Sequence, residues 1–220
     1  MTQKTAWFML QRIREAFRRD DDDNDPMGGG RMGGPVEVDG TRMGGKRKNM
    51  PKSKREAMTG RGGAGKSIVV GAKDRETGEV RAEAVPSTDR STLQGLVADH
   101  ACPDAEVRTD ERSACAGMPF DHRTVSRSPG EHVRDLIHTN GIESFRSMFK
   151  RARKGVYHKM SPKHLHRHVT DFAGRQTVRK RSTLPQMQRI ADGMIGRRLE
   201  CRRLIADNGL WNGADGCVPA

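Results

Sequence analysis

The sequence predicts a mixed α/β domain, and three features indicate it: three successive β-type runs, an amphipathic helix after them, and a fourth strand before another helix. The chain has 220 residues, of which 33% are apolar and only 4% are aromatic. A chain of this length and composition can bury one modest core. We therefore expect one ordinary domain with polar extensions.

The first expected element is a short amphipathic helix in residues 1–19. Its apolar residues recur at helical spacing, and they are Trp7, Leu10, Ile13 and Phe17. An acidic run and a glycine-rich stretch follow, so residues 20–34 are predicted to form a flexible linker. The apolar stripe of this helix must pack on something, either the domain itself or a module upstream of it. In the second case, residues 1–19 would be the remnant of a larger amino-terminal region.

Strand-like segments begin at Pro35. Three of them are rich in β-branched residues, and they are Val36–Asp39, Ser67–Ala72 and Glu79–Val85. The turn sequence at residues 76–78 joins the last two. The three strands are therefore expected to form an antiparallel meander.

A helix and a fourth strand should follow. The segment Ser87-Thr88-Asp89 is expected to cap the helix. One face of this helix carries Leu93, Leu96, Val97 and His100. Residues 105–109 then predict a short strand that ends at Asp110. Three strands, a helix and a strand form the opening of the ribonuclease-H-like fold, although other α+β domains share this order.

Two more helices are expected towards the end of the chain. One begins near Asn140, capped by Thr139 or Asn140, and its apolar stripe comprises Ile142, Phe145, Met148 and Phe149. The other starts at Arg181 and runs as one amphipathic helix to Leu199. We assign residues 35–180 to the ribonuclease-H-like domain and residues 181–220 to a basic helix and tail.

The charge of the chain indicates a polyanionic partner. Lys and Arg number 41 against 28 Asp and Glu, so the formal net charge is +13 and the pI is about 10.2. Residues 150–203 carry 16 of the basic residues and three acidic ones, and residues 46–61 form a second basic cluster. A charge run by itself is often a solvated face. Two runs that flank a set of carboxylates favour DNA.

The four cysteines form no C-x-x-C pair, and the sequence contains neither a signal peptide nor a long apolar segment. We therefore expect a cytoplasmic protein whose cysteines are incidental free thiols.

Three carboxylates stand where distant segments can converge. Asp39 is expected at the end of the first strand, Asp110 at the end of the fourth, and Glu143 in the first turn of the next helix. Taken singly, each is more often a cap or a solvated residue. Together they suit Mg²⁺ or Mn²⁺, hard cations that prefer oxygen ligands and leave positions open for phosphate.

Two other motifs suggest different chemistry. Residues 60–67 satisfy the P-loop pattern, but a basic segment precedes them and a strand is expected after them, where a P-loop needs a strand and then a helix. We interpret them as a basic loop. His164 and His168 have the spacing of helical zinc ligands, but no third ligand stands out, so DNA contact or helix packing is the preferred interpretation.

At residues 138–169 and 171–179 the sequence resembles the ISXO-like insertion-sequence transposases of the DDE superfamily. Residues 5–17 and 35–49 also match, and the resemblance extends from about Thr5 to about Gly209. It implies a ribonuclease-H-like core that cleaves and transfers DNA with Mg²⁺ at the ends of a mobile element. DNA ends and target DNA would be the partners, with a homo-oligomer as a possibility, in the bacterial cytoplasm at the nucleoid.

By motif, the resemblance makes Asp39, Asp110 and Glu143 the metal-binding catalytic triad. Lys150, two helical turns after Glu143 on nearly the same face, would contact a DNA phosphate, with a surface lysine as the alternative. Asn140 would either orient a ligand or cap the helix. The other expected DNA-binding residues are Arg151, Lys46, Arg47, Lys48 and Lys163.

The sequence also departs from the family pattern. Gly40 replaces an acidic residue, Arg146 replaces an aromatic residue and Thr177 replaces an asparagine. Residues 115–127 fit poorly, and the amino-terminal zinc ribbon typical of full-length members is missing from this sequence. Two alternatives therefore stay open, a catalytically inactive remnant that only binds DNA and a non-enzymatic basic nucleic-acid-binding protein.

Overall fold

The computed structural model describes residues 1–18, 30–45, 47–57, 63, 65–110, 117–125, 139–158 and 160–205. Its helices are α1 (Gln3–Glu15), α2 (Lys52–Ala57), α3 (Arg90–His100), α4 (Asn140–Ala152), α5 (Leu165–Val178), α6 (Thr183–Asp192) and α7 (Cys201–Ile205). Its strands are β1 (Val36–Met43), β2 (Ser67–Asp74), β3 (Val80–Val85), β4 (Glu106–Asp110) and β5 (Asp121–Val125). The mixed α/β class expected from the sequence is confirmed.

The five strands form one sheet in the order β3-β2-β1-β4-β5. β1, β2 and β3 pair antiparallel, which confirms the expected meander. β4 pairs parallel with β1, and β5 pairs parallel with β4. β1 therefore lies in the middle of the sheet, and seven of its eight residues are buried.

Helices cover both faces of this sheet. Val36 and Val38 of β1 pack with α3 in one apolar cluster. Met43 lies in a second cluster, on the opposite face, which also contains residues of α4 and α5. Because side chains alternate along a strand, the odd-numbered residues of β1 face α4. Asp39 is one of these odd-numbered residues.

α1 packs on the domain itself, so one of its two expected partners is confirmed. Phe17, just after the helix, is 1% exposed and clusters with Val178 at the end of α5. Gly174 permits this contact, because a Cβ at that position would lie 2.3 Å from Phe17 Cδ1. Arg167 of α5 also donates a hydrogen bond from Nε to Glu15 Oε1, at 2.5 Å.

A buried carboxylate joins α1, α5 and the π-type turn that extends α4. Asp171 is 3% exposed and accepts hydrogen bonds from Tyr157 Oη at 3.1 Å and from Arg175 Nε at 2.6 Å. Arg14 Nε of α1 lies 3.8 Å from its Oδ2 atom. Burial, and then the charge of Asp171, raise the pKa of Tyr157, so this hydroxyl remains a donor.

The paired histidines pack into the fold. His168 contacts the Tyr157 ring edge-on at a centroid distance of 4.8 Å, and His164 contacts Trp7 in the same way at 6.1 Å. Burial lowers the pKa of His168 to about 3 and that of His164 to about 4. Both rings are therefore neutral at neutral pH, and helix packing is confirmed for this pair.

Two expected element boundaries are wrong. β1 continues past Asp39 to Met43, because its pairing with β2 persists to Ser67. The helix expected from Arg181 to Leu199 ends at Asp192, where Gly193 is the C-cap. The chain then turns, with Gly196 at φ +74, before α7 begins at Cys201.

Thr177 protects the outer strand of the sheet. Its hydroxyl oxygen accepts a hydrogen bond from Val80 N at 3.0 Å and lies 3.3 Å from Val80 O. An exposed strand edge can pair with another chain, so this contact shields the start of β3.

In the described residues, no helix is long and apolar enough to cross a membrane.

Candidate active site

Asp39 and Asp110 are neighbours on the sheet. Val38 of β1 pairs with Thr109 of β4 in parallel register, so the next residues of the two strands are Asp39 and Asp110. Adjacent strands lie about 4.8 Å apart. Both aspartates also line one small cavity of about 10 Å³. Asp39 therefore lies next to Asp110 from a position in the middle of β1, whereas we expected Asp39 at the end of its strand.

A glycine allows α4 to lie close to Asp39. Gly71 of β2 pairs directly with Asp39. A Cβ at Gly71 would lie 3.0 Å from Ile142 Cδ1 and 3.5 Å from Phe145 Cε1, both on α4. The missing side chain thus sets the depth at which α4 rests on the sheet. A larger residue there would push the helix away from β1.

The amino terminus of α4 is held by a glutamate from β1. Glu37 is 1% exposed, and its Oε2 accepts a hydrogen bond from Ile142 N at 2.8 Å. Gly141 permits this contact, because a Cβ there would lie 2.6 Å from the same oxygen. Thr139 occupies the N-cap position but makes no side-chain capping bond, and Asn140 is the exposed first residue of the helix. The expected start of the helix at Asn140 and the N-cap position of Thr139 are therefore confirmed, but the Thr139 side chain does not supply the capping hydrogen bond.

One face of α4 is directed at Asp39. Glu143, Arg146 and Lys150 follow at intervals of three and four residues, which places them along one side of the helix. Arg146 Nη1 donates a hydrogen bond to Asp39 Oδ2 at 2.6 Å. Burial and the charge of Arg146 lower the pKa of Lys150, while Asp39 raises it. Lys150 follows Arg146 by one helical turn, so it lies on the side of α4 from which Arg146 reaches Asp39.

The carboxylates do not form a complete ligand set in this arrangement. Within the described part of the chain, no group of three His, Cys, Asp or Glu side chains could hold a metal ion. Asp39 and Asp110 stand together, Glu143 is half-buried in the first turn of α4, and Arg146 contacts Asp39. The oxygen donors suit Mg²⁺ by type. The guanidinium group beside them is the feature that sequence reasoning missed.

The other expected DNA-binding residues occupy different places. Arg151 is exposed beside Lys150, and Lys48 is exposed in the short 3₁₀ turn Arg47–Asn49. Lys163 is half-buried in the turn that leads into α5. Lys46 lies outside the described residues. The loop at residues 60–67 is described only in part, but β2 begins at Ser67, which confirms the strand expected in place of a P-loop helix.

Replacing Glu37 by Ala is expected to lower the free energy of unfolding by about 2 kcal/mol, because Ile142 N loses its buried acceptor. Urea denaturation measures this change. Glu37→Gln should retain the stability that this hydrogen bond contributes, because the amide oxygen can still accept it, and should lose only the ion pair with Arg75, whose Nε lies 3.5 Å from Glu37 Oε1. Glu76→Ala, an exposed site, serves as the control and should change stability by less than about 0.5 kcal/mol. Equal stability of Glu37→Ala and the wild type would contradict the capping role.

The comparison with protein families finds a match to the ISXO2-like transposase domain over residues 31–177. This segment contains the five strands, α4 and all the residues around Asp39 described above. The comparison with curated proteins finds no matching relative. Since the family match covers more than half of the sequence, the chain belongs to the ISXO2-like transposase family.

Proposed function

We propose that the chain is a DDE-type transposase that cleaves DNA and transfers its strands at the ends of an insertion sequence. Asp39, Asp110 and Glu143 are the catalytic residues in this proposal. The observation that carries it is the juxtaposition of Asp39 and Asp110 on adjacent strands, with Arg146 of α4 in contact with Asp39 and Lys150 one helical turn further along α4.

The fold supports the same proposal. Three antiparallel strands, a helix on one face, and two further strands parallel to the first give the sheet order β3-β2-β1-β4-β5. We infer that residues 35–180 form a ribonuclease-H-like core. Such a sheet brings β1 and β4 together from distant parts of the sequence.

Mg²⁺ or Mn²⁺ would be held by Asp39 and Asp110, with Glu143 supplying a further carboxylate. When bound there, a divalent cation activates the attacking water or 3′-hydroxyl and stabilises the departing oxygen. Asp39 and Asp110 would orient this chemistry from rigid strands. Lys150 would neutralise a phosphate beside them, and Asn140, which is exposed at the start of α4, would orient a ligand.

Duplex DNA is the proposed substrate. The net charge of +13 favours a polyanion, and exposed cations continue from the site through Arg151. Lys46, Arg47, Lys48 and Lys163 would add contacts to the DNA backbone. These contacts position the DNA and make its binding sensitive to salt.

The test is a nicking assay on a supercoiled plasmid that carries the ends of the element, with gel-shift titrations on the same DNA. Nicked product with Mg²⁺ or Mn²⁺, and none with EDTA, is the expected result. Binding without nicking would favour the inactive remnant, which the contact between Arg146 and Asp39 supports as the second candidate. If the chain neither binds nor nicks this DNA, both candidate functions are rejected.

A further inference from the structure

Arg146 occupies the space beside Asp39 that a cation would need. The Asp39 side chain is 2% exposed, and its Oδ2 atom lies 2.6 Å from Arg146 Nη1. The Arg146 side chain is 27% exposed, so it reaches from the surface of α4 into the site. We propose that Arg146 is a resident counter-ion of Asp39, which competes with the divalent metal and is released towards DNA phosphate when the metal binds. This inference rests on the proposed function.

The charges around Asp39 explain why a counter-ion is needed. Asp110 stands on the adjacent strand, and two carboxylates this close repel each other unless a positive charge is present. A charge-assisted hydrogen bond from Arg146 supplies that charge in the metal-free protein. The bond uses an oxygen that a metal would need for coordination. The two cations therefore exclude each other at Asp39 Oδ2.

The path of release follows from the position of Arg146 on α4. Lys150 lies one turn further along the same face, and Arg151 next to it is exposed. A guanidinium that leaves Asp39 along this face moves towards these cations. It binds phosphate in a bidentate manner, which a lysine cannot do. When the metal binds, the guanidinium of Arg146 thus leaves the Asp39 carboxylate and adds its positive charge to the DNA-binding surface.

The test is the affinity of the full chain for Mn²⁺, measured by calorimetry without DNA. Arg146→Gln is expected to bind Mn²⁺ about ten- to a hundredfold more tightly than the wild type. In the wild type, the hydrogen bond between Arg146 and the Asp39 carboxylate has to be broken first. Arg146→Lys, which keeps the charge, should give an intermediate affinity. Arg179→Gln, which removes an exposed arginine at the end of α5, is the control and should match the wild type.

Asp39→Asn separates the two proposals. If it abolishes Mn²⁺ binding while Arg146→Gln and the wild type bind equally, the metal site stands and the counter-ion proposal is overturned. If neither the wild type nor Arg146→Gln binds Mn²⁺ at millimolar concentration, both proposals are overturned.

A second measurement needs no metal. In EDTA, Arg146→Gln is expected to be less stable than the wild type, and this loss should disappear in the Asp39→Asn background. Equal losses in both backgrounds would overturn the counter-ion role.

Discussion

Replacing Asp110 by Asn is expected to reduce metal-dependent nicking about a thousandfold, to the background level. The amide keeps the size of the side chain and removes the charge that would hold a divalent cation. A metal centre contributes several kcal/mol of transition-state stabilisation, and each 1.36 kcal/mol is tenfold in rate. The rate of plasmid nicking at saturating Mg²⁺ measures the effect. Asp110 is only half-buried, so the variant should still fold.

Asp121→Asn is the matched control for this experiment. Asp121 begins β5 and pairs with Glu106, at the opposite end of β4 from Asp110, and its side chain is 61% exposed. It should nick DNA at the wild-type rate. Equal nicking by Asp110→Asn and Asp121→Asn would show that Asp110 has no part in the reaction.

Replacing Asp171 by Ala is expected to lower the free energy of unfolding by about 3 kcal/mol, the largest effect on stability that we expect. The substitution leaves the largely buried Arg14 without its carboxylate, and it removes the acceptor of the Tyr157 hydroxyl. Breaking a buried ion pair from one side is strongly destabilising. Urea denaturation measures the loss, and hydrogen exchange should show reduced protection of α1.

Two further variants serve as comparisons for the loss of stability in Asp171→Ala. Tyr157→Phe removes one hydrogen bond and should lower stability by about 1 kcal/mol. Asp192→Ala, at the exposed end of α6, should change stability by less than about 0.5 kcal/mol. An Asp171→Ala variant as stable as Asp192→Ala would show that the carboxylate does not join α1 to α5.

Local patterns predicted much of this fold. The β-branched runs gave the three strands of the meander, because a pleated, buried surface suits those side chains. The segment Ser87-Thr88-Asp89 was identified as a helix cap from its place before an apolar repeat, and within it the Asp89 side chain accepts a hydrogen bond from Thr92 N. β5 was missed, since the sequence Asp-His-Arg-Thr-Val has no clear alternation and the strand depends on its pairing with β4.

The contacts around Asp39 could not be predicted in this way. Glu37 and Ile142 are 105 positions apart in the sequence, and Asp39 and Arg146 are 107 apart. No local pattern reports such pairs. The sequence did indicate that Arg146 departs from the family pattern, but only the structure shows that its guanidinium contacts Asp39. The proposed catalytic residues themselves came from the motif that surrounds each of them.

Diffraction from crystals of the chain soaked in Mn²⁺ tests the central claim most directly, because the anomalous signal locates the metal. The expected result is a peak about 2.2 Å from carboxylate oxygens of Asp39 and Asp110, with Glu143 turned towards it and Arg146 moved off Asp39. A peak that appears only elsewhere on the protein at saturating Mn²⁺, or no peak at all, would contradict the shared metal site.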